Sequence, residues 1–269
     1  MMTLNENTIN NIDSDFQNLA LYNYAVFTSF LTQNGYTRKF DYHLERLNRD
    51  CTALFGTSPS EDIVRKNIRH FLTHFENVEN VVVRVTVFPE NFSLVRPGDI
   101  KKLNILVTGR LHASVRGAIP LKLLVVDAQR TMWLHKTTNL IANLKARAIA
   151  QNKGYNDALL SNGHLITEGV TWNVFFLQGK RLITPPIKDC LLPGITRRII
   201  VENISQTDVE LKEESVYISS LENFNGCLIT NAAIGTAIVG AINEYEYETE
   251  SDVIKQIKEV YASTPFEAI

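Results

Sequence analysis

Cysteine is scarce in this chain. Its three residues, Cys51, Cys190 and Cys227, cannot close an even disulfide framework and hold no CxxC pair of the kind that binds zinc. A reducing, cytoplasmic setting is expected. Excess charge of either sign is also lacking: 27 Lys and Arg stand against 29 Asp and Glu, a formal net charge of −2, with no basic stripe to track a phosphate backbone. No nucleic-acid partner is therefore expected. The opening MMTLNENTINNIDSDF is polar and Asn-rich, without the basic start and apolar stretch of a secretory signal. The longest uncharged run, residues 226–242, carries Thr230, Asn231 and Thr236. It falls short of the roughly 20 apolar residues that cross a membrane, so it reads as buried strand and turn, with no membrane partner. His70 and His74 are spaced i, i+4 in a helical stretch without a helical carboxylate motif, and no metal is expected.

What is present is enough for real cores, since 269 residues with 45% hydrophobic content allow one large domain or two modest ones. Residues 22–40 alternate as two strands around an Asn34-Gly35 turn, a pair that accepts the positive φ of tight hairpins. Residues 41–55 read as a helix capped by Asp41, with Leu44, Leu47, Cys51 and Leu54 on one face, and another helix covers about 60–76. β-Branched runs at 80–88 and 101–110 complete a small N-terminal α/β domain over 1–113. The segment that follows loses periodicity and carries Gly117 and Pro120, so residues 114–118 are the expected linker to a larger, β-rich domain over 119–269. That domain reads as a helix after Lys136, a β-meander over 157–186, a helix opened by Pro193-Gly194, a strand and turn over 227–239, and a closing helix capped by Ser251.

Four features of the larger domain could carry chemistry. Lys136 precedes a helix that Thr137 or Thr138 can cap, with Leu140, Ile141, Leu144, Ala148 and Ile149 as its apolar face and Gly154 at its end. A helix start carries partial positive charge, so either the ammonium points into water or its proton is meant to come off. Glu168 sits among the strand residues Ile166, Val170 and Trp172 and needs a cationic partner unless it faces solvent. The backbone N–H groups of Ile195 and Thr196, freed at a helix start, suit an anion such as phosphate or serve an ordinary cap. Asn231 lies in an uncharged turn. A lysine able to lose its proton, a phosphate site and a buried carboxylate match the needs of pyridoxal phosphate.

The order Lys136-x-x-Asn139, then Glu168-Gly169, Asn173, Phe175, Thr184-Pro185 and Leu192-x-Gly194-Ile195-Thr196-Arg197, resembles the class IV, fold-type IV pyridoxal-phosphate family. That family contains branched-chain aminotransferases, D-amino-acid aminotransferases and aminodeoxychorismate lyases. The first hairpin and the His43-Leu44-Glu45-Arg46-Leu47 helix are similar as well, and the match runs from about residue 22 to 240. The resemblance implies a two-domain α+β fold and pyridoxal 5'-phosphate as cofactor. It makes Lys136 the Schiff-base lysine and catalytic proton shuttle, pairs Glu168 with the pyridine nitrogen, and gives the phosphate to Arg46, Ile195, Thr196 and Asn231. Arg84 lies where several members carry a substrate-carboxylate arginine, while strand alternation turns Phe27 and Ser29 toward substrate. A homodimer acting on a small molecule is also implied.

Departures from the family pattern bear on the reaction. Thr28 stands where glutamate is common, Leu140 where aminotransferases often have tyrosine, and Asn231 where many have threonine. These features resemble the lyase members. The leading expectation is a lyase converting 4-amino-4-deoxychorismate to 4-aminobenzoate and pyruvate, a step toward folate. Alternatives are an aminotransferase on D- or branched-chain amino acids and a non-catalytic relative.

Overall fold

The computed structural model describes residues 2–4, 7–9, 13–75, 78–112 and 119–269. A short antiparallel pair, β1 (Met2–Leu4) and β2 (Asn7–Ile9), precedes helix α1 (Ser14–Tyr22). Asn34 and Gly35, at φ 50° and 82°, then turn the chain between β3 (Val26–Gln33) and β4 (Tyr36–Arg38), as the Asn-Gly pair implies. Helices α2 (Phe40–Phe55) and α3 (Glu61–Leu72) follow, and β5 (Asn80–Pro89) and β6 (Leu103–Leu111) complete the unit. Strand β5 pairs antiparallel with β3 from Gln33↔Asn80 to Val26↔Val87. Leu44, Leu47 and Cys51 of α2 join Phe30, Val83 and Val85 in one core. Lys39 occupies the N-cap of α2 in the left-handed conformation, which leaves Asp41 in the first turn beside the helix's positive end.

The larger unit contains β7 (Leu121–Asp127), α4 (Ile141–Asn152), β8 (Asp157–Asn162), β9 (Leu165–Gly169), β10 (Asn173–Gln178), β11 (Arg181–Thr184) and α5 (Ile195–Asn203). It continues through β12 (Glu210–Glu213), β13 (Val216–Tyr217), β14 (Gly226–Asn231), β15 (Gly235–Ile242), β16 (Tyr245–Glu246) and α6 (Asp252–Ala262). Its sheet runs β12-β11-β10-β14-β15-β7-β8-β9-β13, with β16 added to β15. The expected meander is therefore two hairpins in opposite halves of the sheet. Residues 170–172 cross between them, held by Gly169 N–H donating to the Trp172 carbonyl at 2.8 Å and by Trp172 Nε1 donating to Asp157 Oδ2 at 3.0 Å. Buried on both faces, these strands give no alternation from which pairing could be read.

Two further expectations are corrected. The span 119–269 does not lie wholly in the larger unit, because β17 (Phe266–Ala268) pairs antiparallel with β4 and extends the small sheet to β17-β4-β3-β5-β6. Arg38 stacks its guanidinium 3.9 Å from the Phe266 ring there. The proposed apolar face of α4 points outward, with Ile141 74% and Leu144 53% exposed, while the small residues Ala146 and Ala150 pack on the sheet. The expected linker, residues 114–118, lies outside the described residues. No described helix is long and apolar enough to cross a membrane. Ser251 caps α6 as expected, accepting from Ile254 N–H at 3.2 Å.

The Phe30 ring is fully buried against Phe40 at 5.5 Å and His43 at 4.8 Å between ring centres, so it seats the start of α2 on the sheet. Phe30→Ala should cost roughly 3–5 kcal/mol in urea unfolding, the range for emptying a buried aromatic site.

Candidate active site

A cleft of about 770 Å³ lies where the two units meet, and Lys136 is on its wall. The lysine's backbone is held from both sides. Its N–H donates to Asp50 Oδ2 at 2.9 Å, and its carbonyl accepts from Phe27 N–H at 2.8 Å. Thr137 and Thr138 do not cap the following helix: Thr137 bridges to Val26, and Thr138 Oγ1 donates to the Asn23 carbonyl at 2.7 Å. Helix α4 starts at Ile141 with Leu140 at its cap, so Lys136 is no neighbour of a helix dipole. Although half-buried overall, Lys136 places its amine deep in the cleft, 4.8 Å from the centre of the Phe27 ring. Burial first, then the charges of Arg46 and Arg130, lower the amine well below the usual lysine range, against the opposing pull of Glu168. The proton is indeed poised to leave, for reasons that only the tertiary structure supplies.

Glu168, near the end of β9, has the cationic partner its burial demands. Oε1 accepts from Arg130 Nε at 3.0 Å, and Oε2 accepts from Leu192 N–H at 3.1 Å. Burial pushes the carboxyl up, while Arg130 and the Leu192 N–H pull it down. The net effect of burial is to raise the carboxyl above its ordinary value, and the Arg130 ion pair and the Leu192 N–H are the contacts that favour its charged form. Arg130 was not singled out in the sequence. The need for a cation was legible, but a partner 38 residues away carries no local mark.

The start of α5 faces the same cleft. Gly194 is its N-cap, and a Cβ there would fall 1.9 Å from Asn173 Oδ1, so glycine is required for the helix to approach β10 this closely. Ile195 and Thr196 sit in the first turn, where backbone N–H groups have no intrahelical acceptor. Arg46 reaches the same cleft from α2. Its Nη2 donates to Thr28 Oγ1 at 2.8 Å, and Thr28 Oγ1 lies 2.7 Å from His43 Nδ1. The threonine oxygen has two acceptor sites as well as one hydrogen, so it holds the Arg46 guanidinium while also bonding the His43 ring nitrogen. Burial, reinforced by Arg46 and Lys136, keeps His43 well below its ordinary value. Burial also lowers Arg46 to about 10, so it stays charged at neutral pH.

The cleft wall brings Lys136, Arg46, Glu168, Ile195, Thr196 and Asn231 together with Phe27, Ser29 and Arg84. Asn231 is largely committed to its own turn, accepting from Ala233 and Ile234 N–H at 2.9 and 3.1 Å and donating to the Thr171 carbonyl at 3.3 Å. Among the described residues the neighbouring hydroxyl of Thr230 has no partner, and neither do Thr196 Oγ1, Arg46 Nε and Arg130 Nη1, all of them buried. Four polar atoms without partners, in a cleft with more cations than carboxylates, fit an anionic group such as phosphate. Ser29 lies opposite Arg84 in the β3–β5 register, and the Arg84 guanidinium stacks 3.8 Å from the Phe27 ring centre. Among the described residues no metal-binding cluster occurs.

Such a cleft sets an amine beside polar groups suited to an anion. The model of the amino-transferase class IV family matches residues 25–242, and the chain belongs to that family. Class IV aminotransferases depend on pyridoxal phosphate, and the partnerless donors above fit its phosphate. A Rickettsia felis protein named a probable branched-chain-amino-acid aminotransferase is 29% identical over 238 residues, covering 82% of this chain and 79% of its own. The aminodeoxychorismate lyase of Bacillus subtilis is 25% identical over 266 residues, covering 88% and 84%. Among solved structures, a candidate 4-amino-4-deoxychorismate lyase from Legionella pneumophila has a TM-score of 0.84 at 18% identity, covering 97% of this chain and 98% of its own. The fold-type IV, two-unit α+β architecture is thus shared.

A lysine whose amine is depressed in the folded state binds fewer protons there than in the unfolded chain. Its effect on stability is therefore least harmful above pH 10.5 and grows as the pH falls toward the depressed value. Lys136→Met should raise the Tm of the cofactor-free protein. With cleft water screening part of the effect, the relief is about 1 kcal/mol, or roughly 2–4 °C. Thermal melts should show a larger gain at pH 7 than at pH 9; the opposite trend would contradict the assigned environment.

Proposed function

We propose that the protein is a pyridoxal-phosphate-dependent lyase acting on 4-amino-4-deoxychorismate, releasing pyruvate and leaving 4-aminobenzoate. The observation that carries this reading is a pair of arginines on the cleft wall, Arg84 and Arg110, with no carboxylate partner among the described residues. Aminodeoxychorismate has two carboxylates to offer them, whereas a branched-chain amino acid has one and an apolar side chain. Leu140 supports the reading, because it lines the cleft where a hydroxyl is usual in aminotransferases.

The cofactor, when bound, supplies an electron sink for the atom that gives up a proton. Arg46 and the N–H groups of Ile195 and Thr196 hold its phosphate, aided by the Thr196 and Thr230 hydroxyls. Glu168, braced by Arg130, offers a carboxylate to the ring nitrogen. Arg84 orients the substrate, and Phe27 and Leu140 shield the reacting face from water. Lys136, whose hold on its proton is weakened in this setting, is able as the free amine to accept a proton from the substrate ring as general base. Aromatisation makes loss of the enolpyruvyl group favourable, so no amino acceptor is needed. Purified protein given aminodeoxychorismate should release pyruvate and 4-aminobenzoate without any added 2-oxo acid. Absence of pyruvate with active amine transfer to a 2-oxo acid would replace the lyase with an aminotransferase, the reading that the relative's name in Rickettsia felis favours.

Two copies are proposed to associate, since Ile141 and Leu144 present apolar surface beside the cleft segment. Light scattering should report twice the 30.4 kDa chain mass. A monomer at micromolar concentration would remove this part of the proposal. The three cysteines carry no disulfide, which supports a cytoplasmic setting.

A further inference from the structure

Helix α2 reaches the reactive lysine as well as the proposed anion site. Asp50 follows Arg46 by four residues and so lies on the same helix face. Its side chain is 1% exposed and serves donors on both oxygens. Oδ2 accepts the Lys136 N–H at 2.9 Å, while Oδ1 accepts from His135 Nδ1 at 3.0 Å and from Arg49 Nη2 at 2.8 Å. Because a carboxylate only accepts, His135 Nδ1 must carry its hydrogen. Arg49 Nη2 also donates to the Leu134 carbonyl at 2.7 Å, which ties a third consecutive residue to the helix. From the other side β3 holds the Lys136 carbonyl through Phe27 N–H.

We infer that Asp50 is a positioning residue for Lys136: its carboxylate fixes the lysine backbone at a set distance from Arg46, with α2 as the rigid spacer between amine and phosphate anchor. The inference rests on the reading of Lys136 as the group that reacts with pyridoxal phosphate. A carboxylate is required at this point because every neighbour is a donor. Asparagine, of nearly the same shape, would turn its own N–H₂ toward at least one of them and release that contact.

The test uses the full chain with Asp50→Asn, and with Asp50→Ser as a second variant should the amide fail to fold. One measurement is the rate at which borohydride captures pyridoxal phosphate on Lys136, read by peptide mass. The other is the affinity for inorganic phosphate, read by calorimetry. Misplacing a reacting group by about 1 Å costs up to about 100-fold, so the variants should slow capture by about tenfold or more. Their phosphate affinity should not fall by more than about twofold, since Arg46 and the α5 start keep their places and removing the Asp50 charge takes a negative group away from Arg46. Capture at the parent rate, or phosphate affinity lost in step with capture, would overturn the inference. Failure of the parent protein to capture the cofactor at Lys136 is a separate result, and it would remove the underlying reading as well.

Discussion

One amine held out of water among guanidinium groups is the constraint on which the rest of this cleft depends. An ammonium at Lys136 would lose hydration and face Arg46 and Arg130, while Glu168, the carboxylate that favours the charged form, is already committed to Arg130 and to the Leu192 N–H. Coulombic repulsion in a cleft of reduced dielectric is not screened as it is at a surface. The surroundings favour the neutral amine. The same cations that disfavour its proton make the cleft attractive to an anion. One electrostatic arrangement thus lowers the lysine's hold on its proton and suits an anion such as the proposed phosphate.

The two units divide this work. The larger one contributes Glu168 on β9, the α5 start and the turn at Asn231, all near strand ends of a single sheet. The smaller one contributes α2 and β3, which supply Arg46, the Thr28 to His43 relay behind it, and both anchors of the Lys136 backbone. Neither unit alone contains a complete site. The return of β17 to the small sheet and the bridge between Val26 and Thr137 keep the two in register across the cleft.

The fold was legible wherever local rules dominate. The Asn34-Gly35 turn, the α2 core face at Leu44, Leu47 and Cys51, and the Ser251 cap all follow from spacing and side-chain chemistry, because each involves residues a few positions apart. The meander and the buried face of α4 were misread for a common reason. Strands apolar on both faces, and a helix whose core contacts are made by alanines, carry no periodic signal to show what they pack against.

The sequence by itself determined which chemical groups are available and in what order: the lysine, the carboxylate, the Gly-Ile-Thr helix start and the arginine of α2. It also carried the family resemblance that links them. Only the tertiary structure decided that Glu168 meets Arg130, that Asp50 holds the lysine backbone, and that Thr28 turns away from the cleft to orient Arg46. Those contacts join residues 18 to 86 positions apart, where loop closure and packing, not local propensity, select the partner. The lysine's lowered affinity for its proton belongs to the same class, because it is set by burial and by charges arriving from several separate elements.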